Sequence, residues 1–205
     1  ASLFSALKNI DLSSFDSVVV GPGIGIDNDD WQKTKDYLIG FEGLLILDAD
    51  ALNRISESKL GANFFLERKF KTWITPHPKE FQRLFPNIEC ETNVGLALKA
   101  AKNFNISILL KGANSIIADN KNAWQLFGTD SQTARAGLGD LLSGFVAGSS
   151  AIDLTFCRNI TTDFFAKYVL LHSFAASKCK SGSNASAIGD ELSKIMRKRK
   201  TRQIS

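Results

Sequence analysis

The sequence is poor in cysteine and has no long apolar run. Its 205 residues include three cysteines, which lie far apart at Cys90, Cys157 and Cys179. An odd number of widely spaced cysteines argues against a disulfide framework or a zinc site and indicates a reducing compartment. Apolar runs such as Leu44–Leu47 have the length of a strand and fall far below the ~18 residues of a membrane span. Because Ala1–Leu7 also lacks the basic start of a signal peptide, we predict a cytoplasmic protein that contacts no membrane.

The sequence also lacks an excess of charge of either sign, except at its carboxyl end, where basic residues are concentrated. The chain is 44% hydrophobic and 22% charged, as is usual for globular domains. Its net charge of +4 comes from Lys194–Ser205, which holds six basic residues and no acidic one. A basic tail can bind nucleic acid or anionic lipid. Because no aromatic residue interleaves these charges, we expect residues 197–205 to be a solvated tail and predict no nucleic-acid partner.

Short apolar segments alternate with amphipathic ones along the chain. The segments with strand character are Ser17–Val20, Leu44–Leu47, Trp73–Ile74 and Ile106–Leu110, and Ser115–Ala118 with Trp124–Phe127 has the pattern of a hairpin. The segments with helical spacing are Trp31–Ile39, a run from Ala51, a short run after Pro78, Val94–Phe104, Gly139–Ala151, Thr161–Ala176 and Ala187–Met196. This alternation predicts one α/β domain over residues 1–205, with a mostly parallel sheet flanked by helices on both faces. In such folds ligands bind beyond the carboxyl ends of the strands.

A glycine-rich turn, AGLGD, precedes the first long helical pattern. Gly137 and Gly139 would let the backbone approach a phosphate, and the helix would point its N–H groups and positive dipole end at that anion. Asp140, in the first turn, could be a helix N-cap. A carboxylate beside a phosphate site is unfavourable unless it transfers a proton, which favours Asp140 as a catalytic base.

A second glycine-containing loop follows the fourth predicted strand. Its residues are Lys111, Gly112, Ala113, Asn114 and Ser115. The lysine could hold a nucleotide by its charge, and the small residues would allow close approach of the backbone. The turn of a surface hairpin explains the same residues equally well. On this segment alone both interpretations stay open.

Two prolines surround a histidine in the motif TPHPKE, at the end of the third predicted strand. The prolines restrict the loop and therefore the direction of His77. Glu80 falls at the start of a helix, where it could hold water or Mg²⁺ on the phosphates of a nucleotide. Alternatively, Glu80 complements the helix dipole and His77 is a turn residue. The other histidine, His172, lies within an apolar helical pattern and is expected to be a packing residue.

Glycines and carboxylates follow the first two predicted strands. The motif GPGIG, with Gly23 and Gly25, departs from the spacing of a dinucleotide fingerprint, so a Rossmann dehydrogenase has weak support. The motif DADALN places Asp48 and Asp50 at a strand end, where they could bind ribose hydroxyls or a metal ion. Asp50 could equally cap the helix that follows.

In this order, GPGIG, LDADALN, TPHPKEFQRL, LLKGANSIIAD and AGLGDLLSGFVAG resemble the carboxy-terminal domain of the YjeF family. The resemblance is strong from Val18 to Ala151 and looser in the terminal helices. That domain is an ADP/ATP-dependent NAD(P)H-hydrate dehydratase, a lyase of metabolite repair with a ribokinase-like three-layer fold. The resemblance therefore implies ADP or ATP and Mg²⁺ as cofactors, and the hydrated dinucleotides NADHX and NADPHX as substrates.

The resemblance also implies roles for individual residues. The nucleotide would phosphorylate the ring hydroxyl of the hydrated nicotinamide, and loss of phosphate would restore NADH or NADPH. Asp140 matches the catalytic aspartate, which would accept the hydroxyl proton. Gly137 and Gly139 match the anion hole for the phosphoryl group. Lys111–Ser115, together with Gly139, match the nucleotide-binding positions.

On the substrate side, His77 and the glycines Gly23 and Gly25 match positions that contact the hydrated dinucleotide, with Asp50 as a further candidate contact. Glu80 matches the acid of the superfamily's Asn-x-x-Glu motif and is the candidate ligand for the metal ion.

The sequence departs from the family pattern in several places. The family has glycine where Lys79 stands and a Lys-Gly pair where Arg135-Ala136 stands. Its domain also begins before the first strand seen here, with a glycine-rich segment and a helix that help to form the site. We therefore expect this chain to lack the amino-terminal portion of its domain.

Two other functions fit part of the pattern. A ribokinase-like kinase of a small hydroxylated metabolite would share the glycine-rich turn and its aspartate, although TPHPKE with DADALN favours the dehydratase. A non-catalytic nucleotide-binding protein would keep the pocket alone. Because family members often assemble and 15 phenylalanines could form an interface, we also predict a homo-oligomer.

Overall fold

Six strands form one mostly parallel sheet in the computed structural model, which describes residues 3–25, 28–127, 137–157, 159–180 and 183–203. The strands follow the chain order across the sheet, with β1 to β4 parallel and β5 and β6 antiparallel. Their bounds are Ser17–Val20 (β1), Leu44–Leu47 (β2), Thr72–Ile74 (β3), Ser107–Leu110 (β4), Ile116–Ala118 (β5) and Ala123–Gln125 (β6).

Nine α-helices surround this sheet in the described part of the chain. They are Leu3–Leu7 (α1), Asn28–Gly40 (α2), Ala49–Glu57 (α3), Phe64–Glu67 (α4), Pro78–Leu84 (α5), Asn93–Phe104 (α6), Leu138–Leu154 (α7), Thr162–Lys178 (α8) and Ala185–Gln203 (α9). Single turns of 3₁₀ helix lie at Leu12–Ser14 and Gly61–Asn63. Among the described residues, none of these helices combines the length and the apolar character that crossing a membrane would require.

Strand β2 shows why helices cover both faces of the sheet. All four of its residues are buried, and successive side chains of a strand point to opposite faces. Leu45 and Leu47 belong to the apolar core shared with α3, α5 and α6. Leu44 and Ile46 belong to the core shared with α7 and α8. A continuous apolar run of this kind is typical of a strand in a covered parallel sheet.

The second core is extended outward by the last helix. Ile188 and Leu192 of α9 pack against Ala175 and Ala176 of α8 in a separate apolar cluster. Beneath it, Trp73 of β3 stacks on Phe165 of α8, with ring centroids 4.6 Å apart and planes 3° from parallel. These contacts hold α7, α8 and α9 on one side of the sheet.

The predicted α/β class, with a mostly parallel sheet and helices on both faces, is confirmed. Strands β1 and β2 have the predicted bounds, and the hairpin of β5 and β6 is present with shorter strands than predicted. The largest difference lies at α9, which extends well beyond the predicted Ala187–Met196.

The start of α3 corrects one prediction. The helix begins at Ala49 instead of Ala51, because Asp48 is its N-cap and the Asp48 side chain accepts a hydrogen bond from the Ala49 N–H. Asp50 therefore does not cap the helix. Its carboxylate lies in the first turn, where a negative charge complements the helix dipole.

Candidate active site

The loops that follow the parallel strands lie side by side at the carboxyl edge of the sheet. Backbone hydrogen bonds continue the sheet pattern past the strand ends. The N–H of Asp48 donates to Val20 O, and the N–H of Thr75 donates to Leu47 O, both at 3.1 Å. The N–H of Lys111 donates to Pro76 O at 2.9 Å. The sequence motifs after β1 to β4 are therefore brought together at one edge, as expected for this fold.

An ion pair between a buried carboxylate and a partly exposed lysine links two of these loops. Lys111 Nζ lies 2.8 Å from Asp48 Oδ1, and the Asp48 side chain is only 2% exposed. A buried carboxylate needs such partners, because burial of an unpaired charge costs several kcal/mol. The same Asp48 oxygen accepts a hydrogen bond from the Ala49 N–H at 2.9 Å. Ala49 has a φ of 46°, a strained value for a residue with a side chain.

Close packing of the backbone accompanies this pair. Gly21, directly after β1, has a φ of 141°. A Cβ atom on Gly21 would lie 1.7 Å from the carbonyl oxygen of Asp48. No side chain fits in that space, so glycine is required where the ends of β1 and β2 approach.

The amino terminus of α7 reaches the ion pair. A Cβ atom on Gly139 would lie 3.8 Å from both Asp48 Oδ2 and Lys111 Nζ. Gly137 is the N-cap residue, with a φ of 81° that favours glycine, and it has no side chain that could cap this helix end. The first N–H groups of a helix have no partner within the helix. The first N–H groups of α7 thus lie near the lysine ammonium group and its paired carboxylate, and a helix amino terminus beside a lysine is an arrangement suited to an anion.

Asp140 lies in the first turn of α7, as predicted, and is exposed. Ser143, one turn further, is buried and donates from its hydroxyl to the carbonyl oxygens of Gly139 and Asp140 at 3.1 and 3.2 Å. These contacts join the glycine turn to the body of the helix. Ala136 and Arg135, which precede the turn in the sequence, lie outside the described residues.

The Lys111–Ser115 loop forms one wall of a cavity. The cavity has a volume of about 580 Å³ and is lined by Lys111 to Asn114, with Pro78 and α6 residues on the other side. Its size lies within the range of small-molecule sites. Ser115 does not line the cavity; its hydroxyl accepts from the Gly112 N–H and donates to the Gly112 carbonyl, which closes the loop as a tight turn.

His77 and Glu80 form a reciprocal cap at the start of α5. His77 Nδ1 accepts from the N–H groups of Lys79 and Glu80 at 3.1 and 3.3 Å, and Glu80 Oε2 accepts from the His77 N–H at 2.8 Å. The other carboxylate oxygen, Oε1, lies 3.3 Å from His77 Nε2. His77 is thus the N-cap of α5 and Glu80 the acidic residue of its first turn, while their roles toward a ligand stay predictions. Glu80 is buried, whereas the His77 side chain is 43% exposed and can still contact a ligand.

The loop after β1 is held by α3. Asp50 Oδ2 accepts a hydrogen bond from the Gly25 N–H at 2.9 Å. Arg54, one turn further along the helix, donates to the carbonyl oxygens of Gly25 and Ile24. Asp50 therefore lies beside the candidate glycines. Sequence analysis missed Arg54, and its position four residues after Asp50 on the same helical face was the available signal.

His172 is a packing residue, as predicted. It lies within α8 and is 8% exposed. Burial lowers the pKa of His172 from its ordinary value to about 4, because a charged imidazolium is poorly solvated there.

Comparison with known proteins points to one family. The family profile described as NAD(P)H-hydrate dehydratase matches residues 2–198. A bifunctional NAD(P)H-hydrate repair enzyme from Gloeobacter violaceus is 37% identical over 146 residues, which cover 68% of this chain and 27% of that protein. The corresponding enzyme from Synechocystis is 34% identical over 145 residues, covering 70% and 27%. This chain thus spans about a quarter of the length of these curated relatives.

Solved structures share the fold. A ribokinase-like superfamily protein from Enterococcus faecalis superposes with a TM-score of 0.77 and 24% identity, over 95% of this chain and 66% of the other. The ADP/ATP-dependent NAD(P)H-hydrate dehydratase from Bacillus subtilis, co-crystallised with ATP and Mg²⁺, gives a TM-score of 0.68 and 22% identity, over 89% and 64%. The predicted ribokinase-like fold is thereby confirmed.

Proposed function

The chain belongs to the NAD(P)H-hydrate dehydratase family, and from this membership we propose that it restores NADH and NADPH from their hydrated forms. In this reaction ADP or ATP phosphorylates the hydroxyl that hydration places on the nicotinamide ring. Loss of phosphate and a ring proton then regenerates the double bond. Its similarity to NAD(P)H-hydrate repair enzymes supports this substrate class.

The observation that carries the proposal is the meeting of Gly139 with the Asp48–Lys111 ion pair. The ammonium group and the first N–H groups of α7 would provide a positive site for the phosphoryl group. Such preorganised donors stabilise the charge that develops during phosphoryl transfer. Asp48 holds Lys111 in place, so the site is formed before a ligand arrives.

Asp140 is the proposed general base. It is exposed in the first turn of α7, next to the proposed phosphoryl site. A carboxylate in this place can accept the proton of the ring hydroxyl as that oxygen attacks the terminal phosphorus of the nucleotide. The N–H groups near Gly137 and Gly139 would receive the transferred phosphoryl group.

The nucleotide is assigned to the cavity beside Lys111–Asn114. The lysine reaches the phosphate end, since its Nζ lies near Gly139, and the small residues Gly112 and Ala113 leave room along the wall. The Ser115 turn fixes the loop without lining the cavity. His77, Gly23 and Gly25 are the proposed contacts of the hydrated dinucleotide, and Asp50 acts on that side by holding Gly25.

The residues fit a Mg²⁺ ion that the nucleotide itself carries. In the described part of the chain, no group of three or more His, Cys, Asp or Glu residues is arranged to hold a metal. Mg²⁺ usually takes one or two carboxylates and several phosphate and water oxygens, so a single acid is compatible with it. Glu80 is the proposed carboxylate, acting through water because its oxygens already serve the α5 cap. When bound, the ion would neutralise phosphate charge.

The experiment that tests this function measures the return of the near-ultraviolet absorbance of reduced nicotinamide. Purified protein is mixed with hydrated NADH or hydrated NADPH, Mg²⁺, and either ADP or ATP. We expect recovery that depends on one of the two nucleotides. Recovery without nucleotide, or phosphorylation of a small hydroxylated metabolite in its place, would contradict the proposal.

The variant Asp140→Asn tests the proposed base. Asparagine keeps the size of the side chain and cannot accept the proton, so turnover should fall by at least about 100-fold. Nucleotide binding, measured by titration calorimetry, should persist because the lysine and the N–H groups remain. Turnover close to that of the wild type would exclude Asp140 as the base.

We also propose that the chain forms a homo-oligomer. Large apolar side chains are exposed on α8 and at the end of α7, and they include Leu170, Phe174, Ile152 and Phe156. Patches of this kind commonly mark interfaces between proteins. Sedimentation velocity of the protein should give a mass above that of one chain. The cytoplasmic location stays a prediction.

A further inference from the structure

Arg54 is a buried cation that the proposed chemistry does not use. It lies on α3 and is 2% exposed. Its Nε donates to the Gly25 carbonyl at 2.6 Å, and its Nη2 donates to the Ile24 carbonyl at 2.8 Å. Hydrogen bonds from a charged donor are roughly twice as strong as those between neutral groups. Both of these bonds go to the backbone of the glycine loop.

Asp50 holds the same loop through the other backbone group of Gly25. Its carboxylate accepts from the Gly25 N–H at 2.9 Å. The N–H and the C=O of Gly25 are thus both bound by side chains of α3, four residues apart. This pair of contacts fixes the orientation of the Gly25 residue relative to the helix.

Packing does little to fix the outer side of this loop. Cβ atoms on Gly23 and Gly25 would meet no heavy atom within 4 Å, and both residues have a positive φ, 69° and 72°. The loop therefore leaves open space on that side. Ile24, between these glycines, packs against the apolar core, whereas Gly25 is held by its hydrogen bonds to Asp50 and Arg54.

Arginine is a costly residue for filling this position. Arg54 Nη1 is buried and has no hydrogen-bond acceptor among the described residues. An unsatisfied buried donor destabilises the folded state. Trp31 lies beside the guanidinium, with its ring centroid 5.9 Å from Cζ, so a long apolar side chain could pack there without the cost of burying a charge. Compared with such an apolar side chain, the arginine adds only the hydrogen bonds to the loop.

We propose that Arg54 is a positioning residue, which holds the Gly23–Gly25 loop in the conformation that receives the hydrated dinucleotide. The proposal rests on the proposed function, because it takes this loop as the substrate contact. Arg54 does not touch the substrate and acts through the backbone of Gly25 and Ile24. Its loss should weaken binding of the dinucleotide and leave binding of the phosphate donor unchanged.

Arg68 provides a matched control at the opposite edge of the sheet. It is 4% exposed, donates to the backbone carbonyls of Leu38 and Gly43, and lies 5.9 Å from the ring centroid of Phe41. Burial lowers the pKa of Arg68 to about 10, so it stays charged at neutral pH. Arg68 and Arg54 therefore share burial, backbone partners and an aromatic neighbour, and differ in their distance from the site.

The test compares Arg54→Lys with Arg68→Lys. Lysine keeps the charge but cannot reach two carbonyls with a planar fork. We expect Arg54→Lys to raise the KM for the hydrated dinucleotide by about tenfold, the effect of one lost charge-assisted hydrogen bond, with the KM for the nucleotide unchanged. Arg68→Lys should leave both KM values unchanged. Equal effects of the two variants, or no effect of Arg54→Lys on the dinucleotide KM, would overturn the proposal.

Hydrogen exchange provides a readout that needs no activity. The amide of Gly25 should exchange faster in Arg54→Lys than in the wild type, and at the wild-type rate in Arg68→Lys. Unchanged exchange in Arg54→Lys would show that Arg54 does not hold the loop. If the wild-type protein shows no turnover with either nucleotide, the proposed function fails, and exchange still decides the loop contact. If Arg54→Lys does not fold, Arg54→Met replaces it and is judged by the same criteria.

Discussion

Gly21 is the residue at which the ends of two strands come closest. In Gly21→Ala the new methyl group would have to occupy the place of the Asp48 carbonyl, at a φ that alanine rarely adopts. Because both the clash and the backbone strain must be relieved by movement of β1 or β2, we expect a loss of about 3 kcal/mol or more in the free energy of unfolding. Urea unfolding measures it.

Gly23→Ala is the matched control for that change. Gly23 also has a positive φ, but a Cβ atom there would meet nothing within 4 Å. Its substitution should cost only the conformational strain, about 1 kcal/mol. If Gly21→Ala lowers the free energy of unfolding no more than Gly23→Ala does, the backbone near Asp48 moves aside at no energetic cost, and the prediction is wrong.

Lys111 is the residue on which stability and nucleotide binding should both depend. In Lys111→Met the Asp48 carboxylate, 2% exposed, loses its ionic partner. Removing one member of a buried pair typically costs about 3 kcal/mol, and loss of the ammonium group should weaken nucleotide binding at least about tenfold. Urea unfolding and calorimetric titration with ADP or ATP measure the two effects.

The companion variant Asp48→Asn separates those effects. Asparagine can still accept from the Ala49 N–H, so α3 keeps its cap. In the double variant with Lys111→Met, no buried charge is left unpaired and part of the lost stability should return. Nucleotide binding should stay weak, because the ammonium group is still absent. Strong nucleotide binding by the double variant would exclude Lys111 as a ligand.

For individual residues, the sequence predicted the motifs of the site but not the contacts between them. The glycine turn, the lysine loop and the histidine loop were identified from their motifs, and the rule for parallel sheets placed the two loops at one edge. The bond between Lys111 and Asp48 joins residues 63 positions apart, and that between Arg54 and Ile24 joins residues 30 positions apart. Such partners depend on the register of β1, β2 and β4, which a single sequence does not specify.

At the scale of one element, α8 carries a group whose protonation should affect stability. His172 has a pKa of about 4 in the folded protein because of burial, against about 6.5 in an unfolded chain. Between these values the unfolded chain binds a proton that the folded protein does not. Stability is therefore complete above about pH 6.5 and falls as the pH decreases toward 4, by up to about 3 kcal/mol.

The measurement is urea unfolding at about pH 7.5 and pH 5, in the wild type and in His172→Leu. The wild type should lose about 2 kcal/mol more than the variant between these pH values, from the difference in pKa and the linkage relation. Carboxylates titrate in both proteins and cancel in the comparison. Equal pH dependence of the two proteins would contradict burial of a neutral His172.

The helices and strands also differ in how far the sequence determined them. Strand β2 was predicted without error because its apolar run is bounded by glycine and aspartate. The start of α3 was placed two residues late, because either Asp48 or Asp50 could cap a helix by type alone. Geometry decides between them, since Asp48 has the extended backbone of a cap residue. At helix ends, local competition between similar residues limits prediction.

At the scale of the whole molecule, the site and the two cores use different parts of the sheet. Side chains of the strands form the cores on both faces, whereas the residues of the site follow the strand ends. This division explains why most functional substitutions proposed here should leave the cores intact. Gly21 and Lys111 are exceptions, since the first fixes the approach of two strands and the second balances a buried charge.

Charge is also separated along the whole chain, which leads to a final prediction. Deletion of residues 198–205 removes four of the 25 basic residues and no acidic one, which leaves 21 against 21 acidic residues. Among the residues of α9 whose side chains the structure describes, Leu192 and Ile195 pack on the apolar cluster, and both lie before the deletion. The truncated protein should therefore elute from a cation exchanger much earlier and keep its unfolding midpoint and nucleotide-dependent turnover.

Leu192→Ala is the control within the packed part of α9, and it should lower the free energy of unfolding by about 2–5 kcal/mol. Loss of turnover on truncation would place the tail within the site, and a lower midpoint would place it within the fold.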